Sequence, residues 1–128
     1  MIIPPNAEVY EGVLATLWFD ENGILHANAK STPRTLETQQ EMYKLIERIT
    51  GGKKVCLLSD VTFGSSQPKE LREYMARQIP LHFIAMATIS ESPFGKLVTN
   101  TFMNFEQPIS IKMFSSQSEA LAWLKGFL

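Results

Sequence analysis

The sequence predicts a single α/β domain over residues 1–128, with a mixed five-stranded sheet, mainly parallel in its later strands, and four helices (ββαβαβαβα). Three observations predict this class. Apolar runs alternate with amphipathic segments of helical spacing. Asn22 and Gly23, a strong hairpin signal, separate the first two apolar runs. Residues 54–59 are apolar through their centre, as is typical of a strand covered on both faces.

The first two strands are expected to form an antiparallel hairpin. Residues 9–19 alternate between two faces at period two, and residues 24–29 do the same. Leu25 and Ala27 fall on the apolar face of the second strand, while His26 falls on its polar face. The hairpin therefore supplies the antiparallel part of the predicted sheet.

Each later strand is expected to connect to its neighbour through a helix that crosses over in the right-handed sense. The later strands are expected at residues 54–59, 83–89 and 109–114. The helices are expected at residues 36–50, 67–79, 93–105 and 117–128. Thr32 or Thr35 is the expected N-cap of the first helix, and Pro80 is expected to end the second. The expected inner face of the last helix is Ala120, Leu121, Leu124 and Leu128.

Composition excludes several classes of protein. The formal net charge of −1 offers no field that would attract nucleic acid or an anionic membrane. The one cysteine, Cys56, excludes an internal disulfide and is expected to be a small buried residue. No stretch approaches the roughly 18 apolar residues of a membrane span, and the first residues lack a signal-peptide pattern. We therefore expect a cytoplasmic protein without a transmembrane segment or a nucleic-acid partner.

Four stretches, mostly in the second half of the chain, resemble a known family. They are residues 55–60, 71–74, 100–105 and 114–124. Together with the order of elements, they resemble the STAS domain of bacterial anti-sigma-factor antagonists, and more closely a group of small bacterial STAS-like proteins placed with lipid-transfer domains. The resemblance implies this fold and a non-enzymatic regulatory or protein-interaction role, because none of the four stretches is a catalytic signature.

The turn after the central strand corresponds to the regulatory position of that family. In STAS antagonists the turn reads Asp-Ser-Ser-Gly, and a partner kinase phosphorylates a serine there. Here residues 64–67 read Gly-Ser-Ser-Gln, so both serines are kept and both flanking residues differ. The resemblance implies Ser65 and Ser66 as candidate phosphorylation sites, where a phosphate would add about two negative charges.

Polar side chains gather where the predicted parallel strands end, an edge of the sheet that we call the carboxyl rim. Ligands of such sheets usually bind beyond this edge, and helix N-termini there favour an anion or a partner's acidic side chain. The candidate binding residues are Asp60, Arg34, Arg72, Ser92 and Ser116. The alternative is that the serines only cap helices, and that Asp60 only braces its turn through Lys30, Arg34 or Arg72.

A set of aromatic residues supports a second hypothesis, a carrier of a small apolar ligand or lipid. The set consists of Phe94, Phe102, Phe105, Phe114, Trp123 and Phe127. These side chains either line an apolar pocket or pack an ordinary core at helical spacing. A further alternative is a homodimer formed through Phe105, Trp123 and Phe127.

The pattern of histidines, acids and serines does not indicate a catalytic or metal site. His26 and His82 lack the neighbouring ligands and spacing of a metal site. Ser65, His82 and Asp60 supply the residue types of a hydrolytic triad, but the nucleophile-elbow sequence is absent. We therefore predict a non-enzymatic regulatory or protein–protein interaction module that needs no cofactor or metal and has an unidentified protein partner. The alternative function is the small apolar-ligand or lipid carrier.

Overall fold

A computed structural model describes residues 1–61, 67–90 and 108–128, which form six strands and three helices. The strands are β1 (Tyr10–Glu11), β2 (Ala15–Phe19), β3 (Leu25–Ala29), β4 (Val55–Asp60), β5 (Phe83–Ile89) and β6 (Ser110–Phe114). The helices are α1 (Leu36–Thr50), α2 (Lys69–His82) and α3 (Gln117–Lys125). The α/β class is confirmed, but the count of five strands is wrong, since the described residues form six; the three described helices correspond to three of the four predicted ones. The residues predicted as a further helix, 93–105, lie outside the described ranges.

The six strands form one mixed sheet in sequential order. β1, β2 and β3 pair antiparallel, whereas β3, β4, β5 and β6 pair parallel. The register places Ala27 beside Ser59, and Ser59 beside Thr88. Because these four strands run in one direction, their carboxyl ends meet at one edge of the sheet. The predicted mixed sheet with parallel later strands is therefore confirmed.

The extra strand arises because the chain turns at Gly12. The Gly12 N–H donates to the carbonyl oxygen of Ala15 over 2.9 Å, and Tyr10 comes to pair with Leu17 in the antiparallel sense. A Cβ atom at Gly12 would lie 2.4 Å from Sδ of Met42. The prediction of one continuous strand over residues 9–19 was wrong, since period-two alternation continues through a turn that only a glycine can occupy at this distance from α1.

Helix α1 begins and ends at residues that the sequence indicates. Thr35 is the N-cap: its hydroxyl accepts a hydrogen bond from the Thr38 N–H, and the Thr38 hydroxyl accepts one from the Thr35 N–H. Gly51 follows the last turn with a φ of 66°, a left-handed conformation that glycine adopts without steric cost. The prediction of Thr35 as a possible N-cap is confirmed.

Helix α2 continues past Pro80 to His82, so the prediction that Pro80 ends it was wrong. Pro80 lies in the last turn, where its missing N–H costs one hydrogen bond. The last turn of α2 keeps a backbone hydrogen bond, since the Phe83 N–H donates to the carbonyl oxygen of Ile79. Strand β5 then begins directly at Phe83, without a connecting loop.

The sheet is covered on both faces by apolar side chains. On one face, α1 and α2 pack against a core that includes Leu14, Leu17, Leu57, Met75, Phe83 and Met86. On the other face, α3 packs through Ala120 and Leu124 against Ile24, Cys56, Leu58, Ala85, Ala87 and Ile89. Cys56 is buried, as expected. Leu128, expected on the inner face of the last helix, is 64% exposed because α3 ends at Lys125.

A helix that spans a membrane must be long and apolar. Among residues 1–61, 67–90 and 108–128, none of the helices combines the length and the apolar character that crossing a lipid bilayer requires.

Candidate functional site

A cavity of about 100 Å³ lies between the sheet and helices α1 and α2, and we call it the rim cavity because it reaches the carboxyl rim. Its walls are mostly apolar, with Leu17, Leu57, Met75, Phe83 and Met86 among them. Its polar side chains are Arg34, Gln39, Ser59, Gln67 and Thr88. The strand register explains part of this polar group, because Ser59 and Thr88 are neighbours near the ends of β4 and β5. The cavity therefore combines apolar walls with a polar end.

Arg34 supplies the positive charge of the cavity. It precedes the N-cap of α1, and its guanidinium donates to Oε1 of Gln39 over 3.3 Å. Within the described ranges no ion pair joins Arg34 to a carboxylate. Burial lowers the pKa of Arg34, although a guanidinium stays charged at any physiological pH. A partly buried cation thus faces the cavity without an acidic partner from this part of the protein.

Gln67 supplies a second hydrogen-bond donor. The residue is 8% exposed, and its Nε2 has no hydrogen-bond partner among the residues that the structure describes. The backbone carbonyl oxygen of Gln67 accepts a hydrogen bond of 2.8 Å from the guanidinium of Arg72, and this bond fixes the backbone just before α2. A buried amide without a partner costs about 1–3 kcal/mol. Gln67 is therefore an unsatisfied donor beside the apolar walls.

Tyr43 and His82 connect α1 to the end of α2 beside the cavity. The two rings stack with their centroids 4.9 Å apart and an interplanar angle of 7°. Burial raises the pKa of Tyr43, so its hydroxyl remains protonated at neutral pH. Burial lowers the pKa of His82, against a smaller opposing effect of Glu47. The pair is a neutral aromatic contact between the helices.

Two of the predicted binding residues lie at the cavity or next to it. Arg34 lines it, and Arg72 contacts the backbone of Gln67. Asp60 lies on the opposite face of β4, where its carboxylate accepts a hydrogen bond of 2.9 Å from the amino group of Met1. Ser116 is the N-cap of α3, and its hydroxyl accepts from the Glu119 N–H.

Ser92 and the candidate phosphorylation sites Ser65 and Ser66 fall outside the described residues, so their placement stays a prediction. The same holds for the aromatic residues Phe94, Phe102 and Phe105. The remaining aromatic residues pack together: the ring centroids of Phe114 and Trp123 are 5.5 Å apart, and those of Trp123 and Phe127 are 4.9 Å apart. This cluster lies with α3, on the face of the sheet opposite to the rim cavity.

The sequence model of one family, a domain of unknown function named DUF7793, matches residues 17–128. The chain belongs to the DUF7793 family. No curated protein matches the sequence. The structure is similar to that of an uncharacterised protein of the DUF3478 family with a SpoIIAA-like fold from Shewanella loihica PV-4, with a TM-score of 0.63. That similarity covers 97% of this chain and 99% of the other, at 19% identity.

This DUF7793 domain therefore has a SpoIIAA-like, or STAS-like, fold, as the sequence resemblance implied. At 19% identity the similarity concerns the fold alone. A second solved structure, of a protein with unknown function from Arthrobacter sp. FB24, is 20% identical over 91% of this chain and 96% of its own. Its TM-score of 0.31 is too low to support an argument about the fold. None of these comparisons indicates an enzymatic activity.

His26 of the DUF7793 domain is a core residue rather than a polar surface residue, so its predicted placement was wrong. It is 3% exposed and stacks on Trp18, with centroids 5.2 Å apart. Its Nε2 lies 2.9 Å from a carboxylate oxygen of Asp20. The acid in the hairpin turn is the hydrogen-bond partner of Nε2, while Nδ1 is buried without a partner among the described residues. No group of three or more metal-ligating side chains occurs in the described ranges.

Sequence reasoning missed Gln39 and Gln67 as residues of the DUF7793 cavity. Gln39 precedes Met42, Tyr43 and Ile46 by three, four and seven residues, which places it on the buried stripe of α1. That spacing was available in the sequence. Gln67 gave no such signal, because it was predicted at the very start of the second helix, and its burial depends on how α2 packs against the sheet.

Proposed function

We propose that this domain is a non-catalytic binding module that takes up a small, largely apolar ligand through the carboxyl rim into the rim cavity. The observation that supports this function is the cavity itself. Protein interiors are packed nearly as densely as organic crystals, so a void with one polar end stands out from ordinary core packing. A polar end at the carboxyl rim and apolar walls behind it suit a ligand with one polar group.

The volume of the cavity limits the size of this ligand. An engineered apolar cavity of about 150 Å³ in another protein holds benzene, with its six carbon atoms. By proportion, a cavity of about 100 Å³ holds an apolar body of about four non-hydrogen atoms. A long lipid chain would not fit inside it. Of the two carriers expected as the alternative from the sequence, the proposal therefore keeps the carrier of a small apolar ligand and not the lipid carrier.

Thermal unfolding with a panel of short-chain compounds tests this function. The panel is 1-butanol, butyramide and butyrate, each at several concentrations. A ligand that binds only the folded protein at 100 times its Kd stabilises it by about 2.7 kcal/mol. We expect at least one of the three to raise the Tm of the wild type in a saturable manner.

The matched variants are Ala29→Val, which fills space at the cavity, and Ala122→Val on the exposed face of α3. Ala29→Val should abolish the rise in Tm, and Ala122→Val should keep it. If all compounds leave the wild type unchanged, or if Ala29→Val responds as fully as the wild type, the proposed function is wrong.

A regulatory, protein-binding function at the same rim is the second candidate. It is favoured by the parallel register, which brings the ends of β3 to β6 to one edge. In this version Ser65 or Ser66 is phosphorylated between β4 and α2, and the added charge prevents a partner protein from docking. The test compares the proteins captured by the wild type, Ser65→Glu and Ser66→Glu. The same partners at the same yield in all three would remove the phosphorylation switch.

The homodimer belongs to this second candidate as well. Of the three residues predicted at the interface, Trp123 and Phe127 lie in the described ranges, and their rings already pack against each other, which leaves the dimer little support. Light scattering after size-exclusion chromatography measures the mass directly. A mass of 14.5 kDa, that of the single chain, over the micromolar range would contradict a dimer.

A further inference from the structure

The polar end of the rim cavity carries a charge that its described surroundings do not compensate. Arg34 contributes a full positive charge, and its guanidinium donates a hydrogen bond of 3.3 Å to Gln39, a neutral amide. Removing a charge from water without a partner is costly, and an acidic partner offsets that cost. The described part of the chain contains no carboxylate paired with Arg34. A ligand that brings a negative charge would supply the missing partner.

Gln67, the second polar group of the cavity, also favours a ligand whose polar group accepts hydrogen bonds. Nε2 of Gln67 is buried, unpartnered within the described ranges, and belongs to a side chain that lines the same cavity. An amide nitrogen can only donate hydrogen bonds. Oε1 of Gln39 already accepts a hydrogen bond from the guanidinium of Arg34. The polar end therefore offers donors from two side chains and calls for a ligand whose polar group accepts hydrogen bonds.

Charge and size together narrow the ligand further. Arg34 is the one charged side chain among the described residues that line the cavity. Its guanidinium balances one negative charge, so a doubly charged phosphate group inside the cavity would leave an excess charge in mostly apolar surroundings. A carboxylate carries a single charge and accepts hydrogen bonds from the guanidinium in a paired geometry. The cavity behind the polar end accepts an apolar body of about four non-hydrogen atoms.

We propose that the rim cavity binds a short-chain carboxylate, whose oxygens accept hydrogen bonds from Arg34 and Gln67 and whose hydrocarbon part lies against Leu57 and Met86. The inference rests on the proposed ligand-binding function and adds the chemical class of the ligand. Arg72 is a positioning residue in this site, since its hydrogen bond of 2.8 Å fixes the backbone of Gln67.

Isothermal titration calorimetry with butyrate and butyramide tests the charge preference. The two probes have nearly the same shape, and only butyrate is charged at pH 7. All solutions contain the same concentration of sodium chloride, so that a general effect of salt cancels. We expect the wild type to bind butyrate at least about tenfold more tightly than butyramide, a difference of about 1.4 kcal/mol.

The decisive variant is Arg34→Met, which keeps the length of the side chain and removes its charge. Its matched control is Arg48→Met, which removes an exposed arginine from α1. Arg34→Met should bring the preference for butyrate below about twofold, and Arg48→Met should leave it unchanged. A preference that survives in Arg34→Met overturns the assignment of Arg34. Should Arg34→Met fail to fold, Arg34→Gln takes its place with the same expectation.

A measurement on the wild type does not depend on any variant. Butyrate should shift the side-chain amide resonances of Gln67 in NMR spectra, and sodium chloride at equal ionic strength should not. Equal shifts with both salts would mean that the site takes any small anion, and would overturn the carboxylate assignment.

The outcomes separate this inference from the proposed function. If butyramide or 1-butanol binds in the cavity and butyrate does not, the binding module stands and the carboxylate inference is wrong. If none of the three binds, both are wrong.

Discussion

At Gly12 the backbone passes so close to α1 that a side chain has no room. An added Cβ atom would lie 2.4 Å from Sδ of Met42 and 2.9 Å from the carbonyl oxygen of Ala15. The Gly12 carbonyl also accepts a hydrogen bond of 2.8 Å from Lys30, which ties the turn to the end of β3. The residue therefore fixes where the first strand ends and where β2 begins.

Gly12→Ala should lower the free energy of unfolding by about 1–3 kcal/mol, because the backbone oxygen of Ala15 cannot move as easily as the end of the Met42 side chain. Urea unfolding measures the change. The control is Gly126→Ala, where the added atom meets only the Trp123 carbonyl oxygen at 3.3 Å, and where a change within about 0.5 kcal/mol is expected. Equal stability of Gly12→Ala and wild type would contradict the steric argument.

We expect His82 to make the free energy of unfolding depend on pH. Burial lowers its pKa below the usual 6.5, so the folded state binds the proton less tightly than the unfolded chain. Its contribution to stability is present above pH 6.5 and is lost as the pH falls from there towards the lowered folded-state pKa. The effect is modest, because the ring remains partly exposed.

His82→Phe should remove this contribution while keeping a ring that stacks on Tyr43. We expect the variant to lose less stability than the wild type between about pH 7 and about pH 5.5, in urea unfolding at the two pH values. Identical losses in both proteins would show that His82 does not titrate differently in the folded and unfolded states.

Helix α1 depends on its N-terminal capping box, in which Thr35 and Thr38 exchange hydrogen bonds. Thr35→Ala removes the hydroxyl that accepts from the Thr38 N–H and should cost about 1 kcal/mol of stability. Thr35→Ser keeps an acceptor and should stay within about 0.5 kcal/mol of the wild type. Denaturant unfolding followed by circular dichroism distinguishes the three proteins. A Thr35→Ser variant as unstable as Thr35→Ala would assign the loss to packing of the methyl group instead.

The elements that were predicted well carry their signals locally. Helix α1 has its cap, its stripe and its terminal glycines in its own sequence, and β5 was predicted at residues 83–89, where it is found. Two of the wrong boundaries depend on a neighbouring element. The break at Gly12 follows from the approach of α1, and the extension of α2 past Pro80 follows from its direct continuation into β5.

The molecule as a whole is stabilised by apolar layers on both faces of one sheet. Helix α3, only nine residues long, is too short to be stable alone and is held by the second layer. Leu124→Ala removes a fully buried side chain and should lower the free energy of unfolding by about 2–5 kcal/mol. Leu128→Ala, at a position 64% exposed, should change stability by less than about 0.5 kcal/mol in the same urea experiment. Equal effects would contradict the placement of α3.

The candidate site shows how far topology can be predicted without coordinates. Parallel strands joined by helices place Arg34 and Arg72 at the carboxyl rim, and both are found at the rim cavity or beside it. The same reasoning grouped Asp60 and Ser116 with them. A strand residue changes face with every step, however, and Asp60 contacts Met1 on the opposite face of the sheet.

The sequence by itself determined the α/β class and the mixed sheet, which follow from the order of elements along the chain. It also limited the cap of α1 to Thr32 or Thr35 and indicated the burial of Cys56, which follow from residues within or beside one element. Tertiary structure alone decided the rest. Packing against α1 placed a turn at Gly12 between β1 and β2. Tertiary packing also buried His26 against Trp18 and brought Arg34 and Gln67 to the walls of one cavity. The physical reason is that a cavity is defined by how several elements pack, and side chains distant in sequence become partners or remain unpaired only through that packing.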